Sequence, residues 1–150
     1  MTTATLATEQ FTIHEEIFVR ASLDKTFRSL LANIGRLNQT PDGTPLPMVI
    51  EPTPGGRWYR DLGGDDGHLW AFVQSIKRPV LLEIWGPLFM STAATSNLMY
   101  RLTEVDGGSL ITFTHTVVGP FPDDHRPGLG SGWAAMHERV RKAAETSGVN

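Results

Sequence analysis

One alternating strand and the helix that follows it constrain this chain more than any other feature. Ile111, Phe113, His115 and Val117 recur at every second position, and Trp133, Met136, Val140 and Ala144 recur at helical spacing. Period two turns one face of a strand inward, and the i, i+3, i+4, i+7 stripe does the same for a helix. An amphipathic C-terminal helix laid on an alternating sheet makes a concave, half-apolar interior, and such interiors hold small molecules. His115 falls on the apolar parity, so it is the titratable side chain expected inside.

Upstream, Phe11 to Arg20 alternates loosely through Phe11, Ile13, Ile17 and Val19 and reads as a first strand. Ser22 then offers a capping oxygen, Asp24 a favourable first-turn charge, and Leu23, Phe27, Leu30 and Leu31 an apolar stripe, which predicts a short helix ending near Gly35. Prolines and Gly43 make Thr40 to Pro47 a loop. A meander follows: Met48 to Glu51, Arg57 to Leu62, His68 to Ile76, Val80 to Trp85, Asn97 to Val105 and Ser109 to Val118, each bounded by Gly, Pro or Asp turn signals. Short connections pair such strands antiparallel.

A two-residue turn at Asp106-Gly107 or Gly107-Gly108 puts Leu98, Tyr100 and Leu102 on one face with Ile111, Phe113 and His115. Thr112, Thr114 and Thr116 then share the other face with Met99, Arg101 and Thr103. A three-residue turn destroys that agreement, so two is the expected length. Beyond Gly119 an irregular stretch runs to Ser131, the expected cap of a helix from about Gly132 to Ser147. Gly128-Leu129-Gly130-Ser131-Gly132 lacks the spacing of a dinucleotide or phosphate loop and reads as a flexible lead-in to that helix.

The chain of 150 residues fits one domain, expected over 11–150, with Met1 to Gln10 as a frayed start. There is no cysteine, which removes disulfides, thiolate metal sites and cysteine nucleophiles together. A net charge of -3 without long runs of either sign argues against a nucleic-acid surface. No apolar stretch approaches a membrane span and no secretory leader opens the chain, so a cytoplasmic location without membrane insertion is expected.

The order strand, helix, six strands, long helix, together with Pro54-Gly55-Gly56-Arg57-Trp58, Phe113-Thr114-His115 and Gly132-Trp133, resembles the SRPBCC or START-like superfamily. Within it the chain is similar to bacterial homologues of the activator of the ninety-kilodalton heat-shock-protein ATPase, over roughly Phe11 to Glu145. The resemblance implies an α+β helix-grip fold, with an antiparallel sheet of six or seven strands curled around the C-terminal helix and enclosing a cavity. Members of the superfamily commonly hold apolar ligands, only some are enzymes, and the founding eukaryotic domain belongs to a co-chaperone. A single domain is expected here, without the separate N-terminal domain of that eukaryotic activator.

The residues expected to contact an apolar ligand are Trp58, Trp70, Phe72, Tyr100, Phe113, His115, Trp133, Met136 and His137. For any one of the aromatics core filling is the better reading, but as a group around a single helix they must fill or line a volume. His115 is the candidate acid or base, and its alternative is a histidine satisfied by a backbone carbonyl or by Tyr100. Arg57, Arg60 and Arg101 read as surface residues. His68, His125 and His137, with the turn acids Asp65, Asp66, Asp123 and Asp124, lack metal-ligand spacing, so no metal or cofactor is expected. Three functions follow: a binder of an apolar small molecule, an enzyme of cyclase, dehydratase or hydrolase type using His115, or a co-chaperone-like interaction module. A homodimer is compatible with each.

Overall fold

Short turns between consecutive strands dictate antiparallel pairing, and the chain obeys this from its second strand onward. The computed structural model describes residues 9–121 and 125–146. The elements are β1 (Gln10–Val19), α1 (Leu23–Ile34), β2 (Val49–Ile50), β3 (Arg57–Gly63), β4 (Asp66–Lys77), β5 (Leu81–Gly86), β6 (Thr95–Val105), β7 (Gly108–Val118) and α2 (Arg126–Glu145). They form one seven-stranded sheet, ordered β1-β7-β6-β5-β4-β3-β2, in which every neighbouring pair is antiparallel. This is a helix-grip fold: β1 crosses to pair with β7, and both helices pack on the sheet's buried face. The expected frayed start lies outside the described residues as far as Thr8, and Gln10 already pairs with Val118.

The β6–β7 hairpin has the expected register. Val105 pairs with Gly108 across the two-residue Asp106-Gly107 turn, with Gly107 in the left-handed region at φ 81°. Leu98, Tyr100, Leu102, Ile111, Phe113 and His115 are all buried, as their shared face demands. The opposite face carries threonines, with Thr116 and Thr114 reaching Thr12 and His14 on β1. Each fully buried Leu or Ile contributes about 1.5–3 kcal/mol relative to exposure.

α1 starts as its sequence dictates, with Ser22 Oγ accepting from Lys25 N at 3.2 Å and Asp24 in the first turn. At its other end the Trp58 indole donates to the Ile34 carbonyl at 2.8 Å, satisfying a helix-terminal acceptor from the sheet. The buried Ser29 hydroxyl donates to the Val140 carbonyl at 2.7 Å and fixes α1 against the second half of α2. β4 carries register shifts against β3 and again against β5. Such bulges bend a strand and re-aim its side chains.

α2 begins at Arg126, not near Gly132, so the glycine-rich segment is helical rather than a lead-in loop. Glycine propensity is a weak prior that packing overrides, and the packing here is Leu129 buried four residues before Trp133. Ser131 is accordingly no cap; its hydroxyl donates to the Gly128 carbonyl within the helix. The far end expected at Ser147 lies outside the described residues. A Cβ on Gly130 would meet nothing within 4 Å. Gly130→Ala should therefore raise unfolding stability by about 0.5–1 kcal/mol in urea denaturation. An unchanged midpoint would argue against helix at this position.

Candidate functional site

His115 is fully buried on β7, and both ring nitrogens are engaged. The Trp133 indole Nε1 donates to His115 Nδ1 at 2.9 Å, and His115 Nε2 lies 2.8 Å from Ser96 Oγ. An indole N–H can only donate, so Nδ1 carries the lone pair and Nε2 the proton, which goes to Ser96. Protonating Nδ1 would set two donors against each other. Burial adds to this and lowers the His115 pKa to about 4. The ring is thus a neutral strut between β6, β7 and α2, with no free nitrogen for acid or base work.

His137, one turn beyond Trp133, is also buried and lies nearly parallel to the indole, at 12° and 5.9 Å between centroids. Its Nε2 is 2.9 Å from the Tyr100 hydroxyl, and its Nδ1 is 2.5 Å from Glu15 Oε1. A carboxylate only accepts, so Nδ1 carries a proton toward Glu15. Burial, reinforced by the Glu15 charge, raises the Tyr100 pKa and keeps the phenol protonated. Phe113 packs 4.7 Å from Tyr100, 5.0 Å from Trp133 and 4.5 Å from His137. The space under the middle of α2 is therefore filled by rings.

The open space lies along the first half of α2. It is a cavity of about 830 Å³ between that helix, the loop from Asn38 to Leu46 and the connection from β5 to β6. Leu129, Gly132, Trp133, Met136 and Arg139 supply one wall, each on the same helical face. Phe89 and Met90 supply another, and Phe121 and Trp70 close the sides. Trp70 faces inward because it is the extra residue of the first β4 bulge: Trp58 pairs with Ala71 and Tyr59 with Leu69. β5 closes tightly on that bulge, since a Cβ on Gly86 would sit 2.4 Å from the Trp70 carbonyl. Leu88 then adopts φ 58°, held by its burial and by its N–H donating to the Trp70 carbonyl at 2.8 Å.

Of the residues expected to meet a ligand, Trp70, Trp133 and Met136 line this cavity. Tyr100, Phe113, His115 and His137 belong to the filled centre instead. Trp58 backs the cavity wall, 5.1 Å edge-on from Trp70. Phe72 is on the opposite face of the sheet, where it packs 5.5 Å from the exposed Trp85. Its neighbours Ala71 and Val73 take the inner face, so the alternation along β4 turns Phe72 outward. Arg57 pairs with Glu51 at the surface, as expected of it.

Sequence reading missed Glu15, although it occupies the inward parity between Ile13 and Ile17 and is the one charge there. It also missed Leu129 and Arg139, which continue the Trp133–Met136 stripe in both directions. Among the described residues, no cluster of three or more His, Asp or Glu could hold a metal ion. No described helix is long and apolar enough to cross a membrane.

No family model and no curated protein matches the chain by sequence. Solved structures match its fold. A protein from Chromobacterium violaceum aligns at TM-score 0.70 and 14% identity, covering 89% of this chain and 96% of that one. Ara h 8.0201 aligns at TM-score 0.66 and 16% identity over 92% and 99% of the two chains. The Aha1 dimer from Colwellia psychrerythraea aligns at TM-score 0.64 and 17% identity over 90% and 96%. At such identities the likeness shows the fold alone, a helix-grip fold.

The low His115 pKa makes stability depend on pH with a definite sign. The unfolded chain takes up a proton on this ring near 6.5, whereas the native ring resists until about 4. The contribution is complete above the first value and is lost as pH falls toward the second, by up to roughly 3 kcal/mol. Urea denaturation from pH 7.5 to 4 should show this slope in the natural protein and a shallower one in His115→Gln. Identical slopes would mean that the ring titrates freely.

Proposed function

We propose that this protein binds a predominantly apolar small molecule in the cavity beside the first half of α2. One observation carries the reading: about 830 Å³ of open space, with Trp70, Phe89, Met90, Leu129, Trp133 and Met136 among its lining residues, lies next to a core filled by rings. Pockets of this size and lining bury most of a drug-sized molecule, and the buried apolar area, at about 25 cal/mol per Å², supplies the affinity. The helix-grip fold supports the reading, as does the resemblance of the sequence to bacterial homologues of the activator of the heat-shock-protein ATPase, and the proposed location is the cytoplasm.

The acid–base role for His115 finds no support in its surroundings, because both nitrogens are spent on Ser96 and Trp133. A co-chaperone role draws on the sequence resemblance and on likeness of fold to the Aha1 dimer, with no surface feature among the described residues beside them.

The neutral fluorophore N-phenyl-1-naphthylamine tests the reading. It should brighten on mixing with the protein, quench Trp70 and Trp133, and saturate at one equivalent. A Cβ on Gly132 would lie 3.7 Å from Pro41 Cγ, so Gly132→Phe extends a ring into the space between helix and loop. That variant should keep its circular dichroism and bind the probe at least tenfold more weakly. Unaltered affinity, or no binding by the natural protein, would count against the cavity as a binding site.

A further inference from the structure

Arg139 is the one arginine among the described cavity-lining residues, and none of those residues is acidic. It follows Leu129, Trp133 and Met136 along the same face of α2, so the apolar wall ends on Arg139. One nitrogen, Nη2, donates to the Gln39 carbonyl at 3.2 Å. Nε is enclosed and has no hydrogen-bond partner. Arg28 is ion-paired with Asp24, Arg57 with Glu51, and Arg141 with Glu138 and Glu145, whereas Arg60 and Arg78 donate to backbone carbonyls as Arg139 does. Arg139 takes part in no ion pair among the described residues, and burial alone lowers its pKa.

We propose that the cavity is a site for an amphipathic monocarboxylate, whose apolar body lies along Leu129, Trp133 and Met136 and whose carboxylate accepts hydrogen bonds from Arg139. This rests on the binding reading above and adds the class of ligand. The physical case is one of unmet demand. A guanidinium stays charged at any physiological pH, and an enclosed N–H without an acceptor carries a desolvation cost that nothing offsets. A carboxylate removes that cost, because its oxygens match two adjacent guanidinium donors in a parallel pair. A neutral apolar ligand would fill the same space and leave Nε unmet. A second cation would be repelled. From Gly128 to Arg139 the helix rises about 16 Å, so a medium-length alkyl chain spans the wall.

Displacement of N-phenyl-1-naphthylamine by dodecanoate and by dodecan-1-ol, both below their micellar range at pH 8, separates head group from chain. The natural protein should bind dodecanoate at least tenfold more tightly than dodecanol, and added salt should narrow the gap. Arg139→Gln should lose that preference, weakening dodecanoate at least tenfold more than it weakens dodecanol. Arg139→Lys should recover part of it.

Equal affinities of acid and alcohol for the natural protein would overturn the carboxylate assignment and leave the apolar cavity standing. So would equal weakening of both in Arg139→Gln. If neither compound displaces the probe, or the probe itself does not bind, the cavity reading fails and this assignment with it. The comparison of acid with alcohol needs no variant, so it decides the matter even if Arg139→Gln does not fold.

Discussion

The hydrogen bond from the Trp133 indole to His115 ties the last helix to the sheet, and the rest of the site is arranged around it. A donor-only group meeting Nδ1 fixes the imidazole's tautomer, the tautomer directs Nε2 to Ser96, and three elements are joined through one neutral ring. The indole so held has one side against Phe113 and His137 and another against open space. Filled core and cavity share that single side chain.

This sharing explains why the hollow lies off-centre. Two buried polar chains, Trp133–His115–Ser96 and Glu15–His137–Tyr100, meet under the middle of α2, and each needs close contact to satisfy its donors and acceptors. Rings that must touch leave no room between them. Toward the start of α2 the helix presents Gly128 and Gly132, which carry no side chain to fill the gap, opposite a loop that the prolines keep irregular. Space survives there because neither partner has the means to close it.

Much of the fold was legible because alternation is a local signal. The parity of Ile111 to Val117 against Leu98 to Leu102 set the hairpin register, and Ser22 marked the start of α1. The site was read less well, for two physical reasons. A bulge adds a residue to one strand, so Trp70 faces the cavity although Phe72, two positions on, faces outward; no pattern in the sequence marks that shift. Whether an inward aromatic fills or lines depends on its partners across the sheet, and Tyr100 and Phe113 find theirs in His137, itself set by a carboxylate on a strand far away in sequence. The glycines misled in the opposite sense: their low propensity suggested a loop, and the burial of Leu129 with Trp133 keeps the segment helical.

Diffraction from crystals grown with 12-bromododecan-1-ol tests the central claim most directly, because bromine's anomalous signal locates the occupant without reference to the protein coordinates. The account requires bromine density within the space bounded by Trp70, Phe89, Leu129 and Met136, with the Trp133–His115 contact unchanged. Density confined to the outer face of the sheet near Phe72 and Trp85, or side chains occupying that space and no bromine in it, would contradict it.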